Sequence, residues 1–171
     1  MNDLQPITHN PSLDLMLERT THVPVELVWR AWTEPELLKQ WFCPKPWSVS
    51  EVELELYPGG AFNTTMQSPE GELFPSEGCV LQVVPQRRLV FTSALIRGFR
   101  PQPPEGNPVG AFLFSGIVDL EAEGEGTRYR AYAIHGDSEG RNSHEAMGFH
   151  DGWGAAFDQL VELMSSPEFR G

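Results

Sequence analysis

Gly148-Phe149-His150-Asp151-Gly152-Trp153 opens the last apolar helical stretch of this 171-residue chain, after a series of strand-like runs joined by short turns. From that block the periodicity predicts one helix over 142–165, with Phe149, His150, Trp153, Phe157, Leu160 and Met164 on its inward side. A helix this apolar on one face must cover something. The runs before it are the candidates. Thr127 to His135 alternates so that Arg128 and Arg130 face solvent while Tyr129, Ala131, Ala133 and His135 face inward. Val52, Leu54 and Leu56 alternate with Glu51, Glu53 and Glu55, which gives one buried face and one carboxylate-lined face.

Turn chemistry supplies the punctuation. Tyr57-Pro58-Gly59-Gly60 has Pro and Gly where a type II turn needs them, and Ser68-Pro69-Glu70-Gly71 marks the next reversal. The run over 72–84 is long for one strand, and Gly78 is the expected place for a bulge. Near the start, the run over 13–22 reads as a strand with Leu13, Leu15 and Leu17 on one face. A short helix begins after Pro24, with Val25, Val28, Trp29 and Trp32 on its inner side. A second begins at Thr33, where Thr33 and Glu36 have capping-box spacing. The order is strand, two helices, six strands, helix. Hairpin-length connections make the sheet antiparallel, and the exception is the Pro-rich loop over 97–110, read as a lid or a disordered rim. The fold class is α+β: a seven-stranded curved antiparallel sheet wrapped around a long C-terminal helix, with two short helices after strand 1. The expected organisation is a tail over 1–12, one domain over 13–166 and a tail over 167–171.

Composition narrows the function. A net charge of −12 and only 12 Lys plus Arg, in no block, argue against nucleic acid and against an anionic membrane surface as partners. No basic, apolar leader begins the chain and no run approaches a membrane span. A cytoplasmic location with Cys43 and Cys79 as reduced thiols is therefore expected. No cofactor is implied. A metal is not expected either, because His144 and His150 are six apart and fall on opposite sides of one continuous helix.

A family resemblance runs through these segments. It is carried by Val28-Trp29-Arg30-Ala31-Trp32-Thr33-Glu34-Pro35-Glu36, Trp41-Phe42 with Pro44, Pro58-Gly59-Gly60 and Gly78. Arg88-Leu89-Val90-Phe91-Thr92, Gly126-Thr127-Arg128 and Gly152-Trp153 extend it, so that it spans residues 15–164. The ordered set resembles the SRPBCC (START/Bet v 1-like) superfamily, in the branch named for the activator of Hsp90 ATPase homologue. The resemblance implies a helix-grip fold with an apolar cavity between sheet and C-terminal helix. Related members bind lipids, sterols or polyketides, some are cyclases, and eukaryotic relatives stimulate a chaperone ATPase. Those activators carry a further N-terminal domain for which this chain has no room, so a chaperone partner is not expected.

The expected ligand-binding set is Trp41, Trp47, Phe62, Thr64, Phe91, Phe114, Ala131, His135, Phe149, His150 and Trp153, an aromatic lining with two imidazoles for orientation. Over Ala131 and Ala133 two outcomes stay open: an empty pocket, or volume filled by Trp153 and Phe157. Three functions follow. One is uptake of a small hydrophobic or aromatic molecule, a second is a cyclase- or dehydratase-like enzyme using His135 or His150, and a third is an interaction protein. The last would dock a chaperone, or form a homodimer, through the Glu51, Glu53 and Glu55 face.

Overall fold

A computed structural model describes residues 4–103 and 112–169. Of the 97–110 loop read as a lid or a disordered rim, residues 104–110 lie outside the described residues. The chain runs β1 (Asp14–Thr21), α1 (Val25–Thr33), α2 (Pro35–Trp41), β2 (Ser48–Leu54), β3 (Phe62–Gln67), β4 (Leu73–Ser76) and β5 (Cys79–Val84). It continues with β6 (Arg88–Thr92), the short pair β7 (Leu95–Ile96) and β8 (Arg100–Pro101), β9 (Phe114–Glu123), β10 (Gly126–His135), α3 (Ser138–Ala146) and α4 (Phe149–Met164).

A five-stranded antiparallel sheet in the order β1-β10-β9-β6-β5 meets a three-stranded sheet in the order β2-β3-β4. The two join where β4 passes into β5. Ala61 bridges Cys79, and the Phe62 amide donates to the Gly78 carbonyl at 3.0 Å. With β4 and β5 taken as one strand bent at Gly78, seven long strands form the curved layer. The bend needs glycine there: a Cβ on Gly78 would lie 2.9 Å from the Thr92 carbonyl oxygen and 3.0 Å from that of Phe62. The type II turn also forms, with Gly59 at φ +92 and the Gly60 amide donating to the Tyr57 carbonyl.

The helix-grip arrangement follows from what α4 covers. Phe157 lies 4.4 Å, ring to ring, from Tyr129 of β10, and Trp153 lies 6.1 Å from Phe114 of β9. Phe149, Phe157, Leu160 and Met164 are buried, each contributing about 1.5–3 kcal/mol as an upper estimate, and α4 as a whole packs on β1, α1 and α2. On β10 the inward residues are Tyr129, Ala131, Ala133 and His135, all buried. Outward Arg130 pairs with Glu18 and Glu121, and Arg128 with Glu123, across the solvent face.

Two helical expectations are corrected. Thr33 does not cap α2. Pro35 sterically drives Glu34 into an extended conformation (φ −98, ψ 116), so Glu34 becomes the N-cap and Thr33 stays as the last residue of α1. There its hydroxyl donates back to the Trp29 carbonyl at 2.7 Å. The C-terminal helix is also not continuous. Asp137 caps α3 by accepting the Gly140 amide at 2.7 Å, and Gly148 breaks the chain at φ +94 before α4 begins. Among the described residues no helix is long and apolar enough to cross a membrane.

Candidate functional site

The eleven expected lining residues divide into two clusters and two outliers. Towards α1 and α2 the interior is filled by rings. Phe62 stacks flat on Phe91 at 4.2 Å and 2°. Trp32 sits edge-on to Trp41 at 5.0 Å and tilted on Phe91 at 5.9 Å. The indoles are tied down as well: Trp41 donates to the Ala31 carbonyl at 2.9 Å, and Trp32 to the Tyr129 hydroxyl at 3.2 Å. Gly116 of β9 makes the space for this column, because a Cβ there would lie 2.4 Å from the Phe91 ring. Trp41, Phe62, Thr64, Phe91 and Ala131 are all buried on this side. Phe91 therefore occupies the volume beside Gly116 of β9.

The second cluster gathers Phe114, His135, Phe149 and Trp153 at the other end, where α3 turns into α4. Phe149 and Trp153 rings are 4.6 Å apart, and Phe114 lies 6.1 Å from Trp153 and 6.2 Å from His135. Phe114 and Trp153 are only half-buried, whereas Phe149 is enclosed. The outliers are Trp47, which rests on Phe74 at 5.5 Å and is partly exposed, and His150. The expectation that His150 faces inward is corrected. Its side chain is 54% exposed, and Nε2 lies 3.6 Å from Glu145, a carboxylate held below its usual range chiefly by its hydrogen bond from Arg141.

His144, set aside by the sequence reading, is the group at the centre of this cluster. It is 8% exposed and its ring is surrounded by Phe112 at 4.7 Å, Phe114 at 4.9 Å, Phe149 at 5.4 Å and Trp153 at 5.9 Å. Its Nδ1 is 3.0 Å from Nε2 of His135, and Nδ1 of His135 is 2.8 Å from the Leu13 carbonyl. That carbonyl is set by the turn before β1, in which the Leu13 and Asp14 amides both donate to Asn10.

Proton bookkeeping follows from these contacts. A carbonyl oxygen only accepts, so His135 carries its proton on Nδ1. With both rings neutral, His135 Nε2 accepts, and His144 must donate from Nδ1. His144 Nε2, at the tip of the side chain, is left as a lone-pair acceptor with no hydrogen-bond partner among the described residues. Burial, and secondarily His135, push the His144 pKa down from 6.5 to about 4, so the ring is neutral at ordinary pH. Among the described residues the fully buried side-chain N and O atoms without a partner are Gln102 Oε1, Arg141 Nε and Ser166 Oγ, so the tip of His144 keeps some access to solvent. Such an acceptor ringed by aromatics, three of them part-exposed, is suited to receive a polar hydrogen on an apolar molecule.

Other chemistry is poorly provided for. Among the described residues no three His, Cys, Asp or Glu side chains converge as metal ligands would. Cys43 and Cys79 are free and buried, and burial pushes the Cys43 thiol up, away from a reactive thiolate. A groove of about 710 Å³ borders Glu36, Glu51, Glu53 and Glu77, with Lys39. The acidic ladder beside it is partly answered from within: Arg97 pairs with Glu53 at 2.8 Å and with Glu55 at 2.7 Å.

Comparison with known proteins adds the family context. The profile described as Activator of Hsp90 ATPase homolog 1-like protein matches residues 22–165. A crystallised protein from Nitrosomonas europaea is 47% identical, with a TM-score of 0.88 over 95% of this chain and 100% of its own. Solution structures of a protein from Arthrobacter aurescens (22% identity, TM-score 0.78, 91% and 88% covered) and of the AHSA1-like protein from Aeromonas hydrophila (19%, 0.64, 91% and 96%) share the fold. No curated protein matches the chain.

Proposed function

Because the chain belongs to the activator of Hsp90 ATPase homologue 1-like family, we propose that it is a binding module for a small hydrophobic or aromatic molecule, received between the sheet and α4. The observation that carries this reading is the unpartnered acceptor of His144 inside the rings of Phe112, Phe114, Phe149 and Trp153. Apolar walls with a few placed polar groups are the usual make-up of small-molecule sites. Half-buried Phe114 and Trp153 are the side chains a guest would meet first.

The cyclase- or dehydratase-like alternative asks for an acid–base group tuned near the working pH. His144, held near 4, is a weak base and better matched to orienting a guest than to moving its protons. His150 is on the solvent side of α4 and has no part in this reading.

Thermal unfolding with a set of neutral aromatic compounds tests the proposal. A compound present at a hundredfold excess over its Kd should add about 2.7 kcal/mol of stability. Trp153→Ala should abolish that shift, while Trp47→Ala should retain it. If no aromatic compound raises the transition, or if Trp153→Ala leaves the shift intact, the proposal is wrong.

A further inference from the structure

We propose that the site around His144 selects guests carrying a neutral hydrogen-bond donor, a hydroxyl or N–H on an aromatic or apolar frame. The inference rests on the binding reading above and specifies which molecules that site takes. Its basis is the direction of the hydrogen-bond relay. The Leu13 carbonyl fixes the His135 proton on Nδ1, His135 Nε2 then draws the His144 proton to Nδ1, and His144 Nε2 presents a lone pair. A backbone carbonyl at one end thus sets the polarity of a side chain at the other. The relay runs from the turn before β1 through β10 to α3, and β1, β10 and α3 pack on one another, so it is held without any guest present.

Polarity excludes as well as selects. A guest with only acceptors, such as an ether or ketone, would face lone pair against lone pair and would strand the imidazole nitrogen. A carboxylate would do worse, adding a charge inside a chain whose net charge is already −12. An ammonium can donate, and aromatic rings attract cations. The same enclosure that keeps His144 from becoming an imidazolium opposes a buried ammonium, however, and His135 is the titratable group that adjoins it. The neutral donor satisfies every constraint.

Three probes of one shape decide the matter: naphthol, methylnaphthalene and naphthylmethylamine, each substituted at the same ring position, titrated calorimetrically into the full chain at neutral pH. The methyl compound matches the hydroxyl in size and is the more hydrophobic, so apolar burial alone would favour it. The expected result is naphthol binding roughly tenfold tighter than either of the others. His144→Asn is the matching variant. Its amide can donate to His135 from the Nδ1 position but offers nothing at Nε2, so naphthol should lose its advantage over methylnaphthalene.

Equal binding of the three probes, a preference for the methyl or ammonium compound, or a naphthol preference that survives in His144→Asn would overturn the donor rule and leave the binding reading standing. Failure of all three to bind would remove both. Should His144→Asn not fold, the wild-type ranking decides alone, together with nitrogen NMR of isotope-labelled histidine. That spectrum should show His144 protonated on Nδ1; a proton on Nε2 would reverse the polarity and end the proposal.

Discussion

Acid should weaken this fold through His144, and the size of the effect follows from its enclosure. Unfolded, the ring takes protons near 6.5; folded, it resists them until about 4. Between those values the unfolded chain holds the extra proton, so stability is full above the unfolded value and falls as pH drops through the window. Taking pH 8 to pH 5 captures about 2 kcal/mol of a total of about 3 kcal/mol. Carboxylates and other histidines titrate over the same range, so the comparison must be with a variant. His144→Asn removes the titration and keeps a donor to His135 Nε2, so the network is disturbed little. Urea unfolding followed by tryptophan fluorescence at several pH values gives both profiles. The wild type should lose about 2 kcal/mol more than His144→Asn on going to pH 5. Parallel profiles would mean that His144 titrates as a solvent-exposed ring does, and the description of an enclosed neutral acceptor would be wrong.

Two further outcomes follow from the packing. Gly116→Ala drives a methyl to 2.4 Å from a Phe91 ring that is itself stacked on Phe62, so neither can step aside; a loss of about 1–3 kcal/mol in urea unfolding is expected, and a neutral result would show the column to be loose. His150→Ala should leave stability within about 0.5 kcal/mol and naphthol affinity unchanged, because the ring points to solvent; a marked loss of affinity would return His150 to the site.

What the sequence disclosed is largely what local chemistry dictates. The parity of β10 could be read because Arg128 and Arg130 alternate with the small and aromatic residues of the inward face. The turn at Tyr57 to Gly60 could be read because Pro and Gly have conformations of their own. The family resemblance rested on such points in order, and the fold it implied is the one observed. The site was only half legible. Phe114, His135, Phe149 and Trp153 do come together, but they share their hydrophobic character with Trp41, Phe62 and Phe91, which pack the other half of the interior, and composition cannot separate wall from filling.

His144 escaped for a specific reason. Treating 142–165 as one helix put His144 and His150 on opposite sides and turned the inward side towards His150. The break at Gly148 rotates the two segments independently, burying His144 and exposing His150. Two signals were present in the chain: Asp137, a good N-cap nine residues after Arg128, and Gly148, the residue type that ends helices in the left-handed conformation. Thr33 is the complementary lesson. Its capping-box spacing was real, but Pro35 decided the backbone before any side-chain bond could form.

The central claim is a location: a guest between β9, β10 and the start of α4, against His144. Intermolecular nuclear Overhauser contacts from bound naphthol measure it directly. The account predicts contacts to the Phe114 and Trp153 rings and to the His144 imidazole. Contacts confined to Trp47 and Phe74, or to the acidic groove by Glu51 and Glu77, would contradict it.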